Sequence, residues 1–407
     1  MGTSVDDHRR SIRDLLAPLA QRAPVVRHLD GALGLALAAD LAAPVSLPPF
    51  DNSQMDGFAV RSSDFGPGEL AMGRAFVPVR PIPAGTVPAP LAPGQAAPIM
   101  TGAMLPDGAD AVVPVERAQP PRFPEPAELM DHARVVLPAV DPGTYVRRAG
   151  SDVAAGRIVL AAGTRLGPAQ LGLAAALGLT ELPVRPPLRV AVVSTGAELA
   201  AAGEPLSPGQ IYDSNGALLV GSLRDGGVEA TATAVRSDDP DALRAALAQA
   251  ARSADLLVTT GGVSKGAFEA TKLALADADV EFVHLSMQPG GPQGIGRVAG
   301  VPFLGFPGNP VSCWVSWEIL LRPVLAELLG VPAARRRLRL PLAAPLDSPS
   351  GKLQVRRARV DEDGRASLVG GPGSHLLGAL AASDALVLVP EDVTGLPAGA
   401  DVEVWLL

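Results

Sequence analysis

Two short apolar runs, each handed directly to a glycine-bearing loop, dominate the pattern of hydrophobic and polar positions. Residues 255–260 (Asp-Leu-Leu-Val-Thr-Thr) run into Gly261-Gly262-Val263-Ser264-Lys265-Gly266, and 301–306 (Val-Pro-Phe-Leu-Gly-Phe) into Pro307-Gly308-Asn309-Pro310. Short apolar runs bounded by turn residues read as strands buried on both faces. Around them strand and helix patterns alternate. Residues 188–194 read as a strand, 215–225 as a helix and 228–235 as a strand. Asp239 caps a helix that begins with Pro240, and strand 255–260 leads to a helix over 267–276. Strand 280–285 and a hairpin of 295–298 with 301–305 follow. Asn309 then caps a long apolar helix, kinked or ended near Pro323. The pattern predicts a doubly wound, mostly parallel sheet over 182–330.

The flanks follow other periods. Ile12, Leu15, Leu16 and Leu19 stand at helical spacing and predict a helix from Asp6, as N-cap, to about Arg22. A second short helix is expected over 31–41. Pro44, Pro48 and Pro49 break the helical pattern. Seven prolines between Pro78 and Pro98 then punctuate short strands, so 45–140 reads as an inserted all-β domain. Residues 167–179 return to a helix rich in Ala and Gly. Short strands over 338–340, 353–360, 366–369, 385–389 and 402–406 predict a small C-terminal β domain. The chain is thus α/β and β multidomain. A helical linker part takes 1–44 with 141–181, the β insert 45–140, the α/β domain 182–330 and the C-terminal β domain 331–407.

Composition narrows the class. At 407 residues the chain can bury more than one core, and 47% hydrophobic content excludes a disordered protein. A net charge of −8 with no basic stripe argues against nucleic-acid binding. Cys313 is the sole cysteine, which permits no internal disulfide and fits a reducing compartment. The start, Met-Gly-Thr-Ser-Val-Asp-Asp-His, has no apolar signal core, and no run of about 18 apolar residues suggests a membrane span. A soluble, cytoplasmic protein is expected.

In open α/β sheets ligands bind beyond the carboxyl ends of the strands. That rule gathers four loops: Ser194-Thr195-Gly196-Ala197-Glu198, Ser237-Asp238-Asp239, Gly261-Gly262-Val263-Ser264 and Pro307-Gly308-Asn309. Residues 288–294 are expected on the same side. Small residues and hydroxyls suit phosphate, and carboxylates suit a divalent metal shared with phosphate oxygens. Asp239 and Asn309 also read simply as helix caps. Gly262-Val263-Ser264-Lys265-Gly266 matches the Gly-x-Ser-x-Gly elbow of serine hydrolases, with His284 and His375 available later in the chain. No oxyanion-loop motif precedes it. The histidines and the cysteine offer no zinc spacing, and Gly294-Ile295-Gly296 is no dinucleotide fingerprint, since no helix follows.

The motifs taken together resemble the MoeA family of molybdopterin molybdenumtransferases, itself similar to the E domain of gephyrin. The matching stretches are 50–61 (Phe-Asp-Asn-Ser-Gln-Met-Asp-Gly-Phe-Ala-Val-Arg), 100–113, 147–152 (Arg-Arg-Ala-Gly-Ser-Asp), 194–199, 261–264 and 307–312, in family order over nearly the whole chain. The resemblance implies an elongated homodimer in which the β insert acts as a lid, its motifs meeting the α/β face of the other subunit. It implies Mg²⁺-dependent hydrolysis of adenylylated molybdopterin, release of AMP and insertion of molybdate at the dithiolene. It also implies a molybdopterin adenylyltransferase and recipient molybdoenzymes as partners. Asp56, Thr101, Asp152, Glu198 and Asp238 fall on family functional positions, with Glu269 where the family often has Asp. Arg357 and Ser374 fall on C-terminal positions facing the same cleft.

One departure stands out. The family usually reads Pro-Gly-Lys-Pro before the hairpin, and this chain reads Pro289-Gly290-Gly291-Pro292, with Gln288 where some relatives carry lysine. A lysine there could hold an anionic oxo group by charge. Lys265 and Arg297 are candidate substitutes. A pterin-binding scaffold without turnover, and a hydrolase using Ser264, are the alternative readings.

Overall fold

The computed structural model describes residues 2–66, 73–130, 133–263, 270–331 and 334–407. The chain forms two compact units. Met1–Ala39, Gly163–Pro168 and Glu181–Leu407 make one, and Asp40–Ala162 with Ala169–Thr180 the other.

The first helix, α1 (Val5–Leu16), buries Ile12 and Leu16. Its cap is Ser4 rather than Asp6: the Ser4 hydroxyl accepts from the Asp7 amide at 3.0 Å. Pro18 cannot donate to a continuing α ladder, and the chain goes on as a 3₁₀ turn, Ala17–Gln21. The helix expected over 31–41 does not form. Only a 3₁₀ turn at Leu29–Gly31 appears, after which Ala36 and Leu37 make bridges to Arg165 and Val184. Gly34, at φ +81°, lies in the left-handed region that a helix excludes.

The second unit holds a five-stranded sheet of β1 (Gly57–Val60), β2 (Arg74–Pro78), β3 (Gln95–Ile99), β4 (Ala111–Pro114) and β5 (Val135–Leu137), in the order β4-β1-β3-β2-β5. Strand alternation splits its core: Phe58, Val60, Phe76 and Val113 bury on one face, and Ala59, Ala97, Ile99 and Val112 on the other. The Ala-rich helix is α2 (Pro168–Ala176).

The first unit continues with β6 (Arg189–Thr195), α3 (Ser214–Asp225), β7 (Glu229–Val235), α4 (Pro240–Ala251), β8 (Leu256–Thr260), α5 (Ala270–Ala274), β9 (Asp279–His284), β10 (Met287–Gln288), β11 (Pro292–Val298) and β12 (Val301–Phe306). The sheet order is β7-β6-β8-β12-β11-β9. The first four strands are parallel, and β11 and β9 close the sheet antiparallel. Both faces of the inner strands β6, β8 and β12 are covered, which is why these three read as apolar runs. Val190, Val192, Val258 and Leu304 pack with Leu219 and Leu223 of α3. Ala191, Val193, Leu257 and Phe303 pack with Leu243 and Leu247 of α4.

After the sheet comes a buried helical run: α6 (Pro310–Ser316), a π turn (Trp317–Leu321) and α7 (Arg322–Leu329). Pro323 neither ends nor breaks it. It lacks the N–H that would reach the Ile319 carbonyl, and Arg9 Nε of α1 donates to that oxygen instead, at 2.7 Å. Glu318, fully buried within the π turn, is held by a bidentate pair from Arg335 (2.8 and 2.9 Å) and by Arg322 at 3.4 Å.

The C-terminal sheet contains β13 (Arg337–Pro341), β14 (Leu353–Val360), β15 (Ala366–Leu368), β16 (Ala385–Val389) and β17 (Asp401–Leu406). Its order is β10-β14-β16-β17-β13, with β15 also paired to β14. One edge is therefore β10, whose Met287 and Gln288 pair in parallel with Leu353 and Gln354.

Two stability predictions arise from these contacts. Removing one partner of a buried ion pair leaves a charge in low dielectric, so Arg335→Met should cost about 3–5 kcal/mol in urea unfolding. His8 of α1 is buried and its pKa is lowered to about 4 by desolvation. Between about pH 6.5 and about pH 4 the unfolded chain binds a proton that the folded chain refuses, so stability falls as pH falls through that window. The loss should be about 3 kcal/mol and should shrink in His8→Gln, measured by urea unfolding at each pH.

Candidate functional site

The loops after the parallel strands converge as the sheet rule requires. Ser194, Thr195, Gly196 and Glu198 follow β6, Asp238 follows β7, Gly261 and Gly262 follow β8, and Gly308 and Asn309 follow β12; all of these line one cavity of about 750 Å³. Pro307 contributes a carbonyl that accepts from the Thr260 hydroxyl at 3.4 Å. Ser264 and Glu269, with the candidate Lys265, lie outside the described residues. A separate cavity of about 550 Å³ lies at the amino ends of β6 and β7, beside Arg189 and Glu229, away from these loops.

Glycine is required at two of these positions. Gly261 (φ +101°) and Gly262 (φ +66°) are left-handed, and a Cβ on Gly262 would stand 2.7 Å from the Thr271 amide nitrogen. The pair turns the chain sharply: the Gly261 amide donates to the Phe306 carbonyl at 3.1 Å and its carbonyl accepts from the Thr271 hydroxyl at 2.9 Å, which sets Gly262 at the cavity wall. Asp238 accepts from the Ala197 amide through Oδ1 at 3.1 Å, which ties the β7 loop to the β6 loop and leaves Oδ2 for a ligand. The Glu198 carboxylate folds over Gly196, where a Cβ would collide with it.

Sequence reasoning passed over Asn215, Asp213 and Thr260 as site residues and weighed His375 only for the hydrolase; all four line the cavity. Asp213 caps α3 by accepting from the Gly216 amide at 3.0 Å. Asn215 Nδ2 donates to Thr260 Oγ1 and to the Gly308 carbonyl, both at 2.7 Å, joining three loops. Its Oδ1 and the Ser194 hydroxyl are buried and have no hydrogen-bond partner among the described residues. Buried polar atoms without partners are costly, so a ligand atom for each is the natural completion. The signal for Asn215 was its place in the first turn of a helix after a carboxyl-edge loop. Asn309 occupies the N-cap position of α6, but its side chain makes no capping bond, unlike Asp239, which accepts from the Asp241 amide.

The cavity holds the carboxylates of Glu198, Asp213 and Asp238, and among its described lining residues none is Lys or Arg. An acidic wall around hydroxyls does not receive a phosphate by itself. It does so with a divalent cation, which takes one or two carboxylates and completes its shell with phosphate and water oxygens. Among the described residues no group of three or more His, Cys, Asp or Glu is placed to hold a metal ion by itself.

A smaller cavity of about 330 Å³ holds the 288–291 loop expected on the same side, together with Ser374. The first turn of α6 serves both cavities: Gly308, Asn309 and Pro310 line the larger and Ser312 the smaller. Arg357 is buried and does not line either one; its guanidinium donates to the carbonyls of Gly371 and Gly373, which fixes the loop bearing Ser374. Burial, then the neighbouring Arg356, holds its pKa below the ordinary arginine value. Arg297 lies at the far end of β11 from Gly291, roughly 20 Å along the strand.

In the second unit Asp56 Oδ1 accepts from both the amide and the hydroxyl of Thr101, each at 2.7 Å. The hydroxyl bond, then the amide bond, holds the Asp56 carboxyl below the usual range. Asp152 is exposed and bonds neither of them; its amide donates to the Leu47 carbonyl at 3.0 Å.

Fold and cavity define the class: a multidomain protein whose open α/β sheet carries a ligand cavity at the carboxyl ends of its parallel strands. Family models match three segments in succession: MoeA N-terminal region (domain I and II) over 3–178, a probable molybdopterin binding domain over 191–327, and MoeA C-terminal region (domain IV) over 339–407. The chain belongs to the MoeA family. It is 46% identical to molybdopterin molybdenumtransferase 2 of Mycobacterium tuberculosis over 413 aligned residues, covering 99% of each chain. It is 32% identical to molybdopterin molybdenumtransferase of Haemophilus influenzae, covering 93% of this chain and 92% of that one. The molybdopterin biosynthesis MoeA protein of Pyrococcus horikoshii superposes with a TM-score of 0.79 at 30% identity, covering 100% of this chain and 99% of that one.

The Asp56–Thr101 bond generates a pH prediction. Its contribution is present above the ordinary aspartate pKa and is lost as pH falls through the lowered one. In Thr101→Val the leading cause is removed, so the Asp56 carboxyl should titrate at higher pH than in the unmutated protein, read by carbon NMR of the carboxyl. An unchanged titration would deny the hydroxyl its role.

Proposed function

We propose that this chain is a molybdopterin molybdenumtransferase, which hydrolyses adenylylated molybdopterin to release AMP and places molybdenum from molybdate at the dithiolene. The observation that carries the reading is the larger cavity: hydroxyls, the unpartnered Ser194 Oγ and Asn215 Oδ1, and the carboxylates of Glu198 and Asp238 at the strand ends, with no described fixed cation. Glu198 and Asp238 would hold Mg²⁺, which when bound offsets the charge of the phosphate oxygens and of the departing AMP. Ser194 Oγ donates to a substrate oxygen, Asn215 Oδ1 accepts from a pterin or ribose donor, and the Gly262 amide serves the phosphate. Water supplies the oxygen that ends on phosphorus as the phosphoanhydride bond breaks. The oxyanion belongs in the smaller cavity beside Gly291 and Ser374.

The further parts of the reading rest on family resemblance. Asp56, Thr101 and Asp152 serve the cleft of a second copy in a homodimer. An adenylyltransferase supplies the substrate, and recipient molybdoenzymes take the product. The gaps between family segments, after 178 and after 327, lie near the proposed boundaries 181/182 and 330/331, and the division at 44/45 and 140/141 rests on the sequence pattern. Among the described residues no helix is long and apolar enough to cross a membrane.

The hydrolase alternative has a histidine in place, since His375 lines the cavity beside Gly262 and Val263. Among the described residues, however, no carboxylate pairs with His375, so the orienting third member of a triad is missing.

The test follows AMP from adenylylated molybdopterin with graded Mg²⁺ and molybdate. Glu198→Ala and Asp238→Ala should each lower release on the order of a hundred-fold or more while the melting temperature holds. Tight pterin binding with no turnover by the unmutated protein would instead make it a scaffold, and an acyl-enzyme trapped by an ester probe would make it a hydrolase.

A further inference from the structure

The smaller cavity is assembled from distant stretches: His284 and residues 287–291, Ser312 of α6, Lys352, and residues 372–374. Its charge is the reverse of the larger cavity's. None of its described lining residues is acidic, and Lys352 is the one side chain there with a permanent charge. Lys352 is half-buried, and no hydrogen bond or ion pair engages its ammonium among the described residues. A lysine that gives up part of its hydration with no carboxylate beside it is matched to an anion.

Its position is set firmly. The Leu353 amide donates to the Ser286 carbonyl at 2.9 Å, and the Gly351 amide to the Glu391 carbonyl at 2.8 Å, so backbone bonds anchor both neighbours. The parallel register of β10 on β14 sets Met287 opposite Leu353, which brings Lys352 to the head of the 287–291 loop. Gln288 Oε1 accepts from Gln354 Nε2 at 3.2 Å, which leaves the Gln288 amide group as a donor.

The same loop explains why the charge comes from across the cavity. A Cβ on Gly291 would lie 2.8 Å from two ring atoms of His284, so the imidazole takes the space that a side chain at 291 would need. Arg297 is at the wrong end of its strand. Of the remaining lysines, Lys272 lies over the Phe282 ring at 5.8 Å and Lys265 lies outside the described residues.

We propose that Lys352 supplies the cation that holds the tetrahedral oxyanion substrate, in the role that the lysine of Pro-Gly-Lys-Pro would take at position 291. The proposal rests on the reading that molybdate enters this cavity, and it assigns to the C-terminal sheet a charge that the hairpin loop has lost. Arg357 acts alongside as a positioning residue through the 371–373 carbonyls.

The experiment is equilibrium dialysis of molybdate against the full-length protein, with AMP release measured in parallel. One charge-assisted contact corresponds to roughly a ten- to hundred-fold change in affinity. Lys352→Met should weaken molybdate binding by that factor and raise the molybdate requirement for AMP release equally, with pterin-adenylate binding and melting temperature unchanged. Lys352→Arg should stay within a few-fold of the unmutated protein. Equal molybdate affinity in Lys352→Met, or no molybdate binding by the unmutated protein, overturns the proposal. If Lys352→Met binds molybdate normally while the unmutated protein releases AMP, the assignment of Lys352 falls and the transferase reading stands. If molybdate binding depends on Lys352 but no AMP is released, the reverse holds.

Discussion

The helical run from Pro310 to Leu329 is buried almost throughout, and both cavities depend on where its first turn lies. Val311, Val315, Trp317 and Leu321 pack into the core shared with β6, β8, β12 and α1. That burial fixes the run's axial position, so Gly308 and Asn309 face one cavity while Ser312 faces the other. A sequence hydrophobic on every side is what a surrounded helix demands. Its buried acid, Glu318, is tolerated only because two arginines satisfy it. The Arg9 bond to the Ile319 carbonyl similarly repairs the gap left by Pro323.

Charge separates the two cavities by task. The larger one presents three carboxylates and no described fixed cation, which under the proposed function suits a ligand that arrives with a divalent ion. The smaller one has no described acid and one unpaired lysine, which suits a compact anion without a metal. In the proposed reading, two subsites of opposite sign would let one protein hold a metal-bound phosphate and a free oxyanion without either displacing the other.

The order of strands and helices in the α/β domain was legible because it is written locally. Apolar runs end in glycine pairs, Asp239 caps ahead of Pro240, and every predicted strand of that sheet formed within a few residues of its expected place. The carboxyl-edge rule then named Ser194, Glu198, Asp238, Gly261 and Asn309 as neighbours without coordinates, since parallel strands deliver their ends to one side. Local reading failed where local signals conflicted. The left-handed Gly34 is incompatible with the helix expected over 31–41, and Ser4 took the cap expected of Asp6.

What the sequence alone determined is therefore the chemistry that periodicity and turn residues encode: which segments are strands and which loops share an edge; the missing lysine at position 291 is what the family resemblance implies. Only the tertiary structure decided where a charge returns. Lys352 lies 61 residues beyond Gly291 in the sequence, and the pairing of Met287–Gln288 with Leu353–Gln354 brings the two to one cavity. No local pattern reports a pairing between two short segments so far apart. Its register is set by packing of whole sheets, and the unpartnered Asn215 oxygen and the His284 ring over Gly291 are likewise consequences of side chains meeting in space.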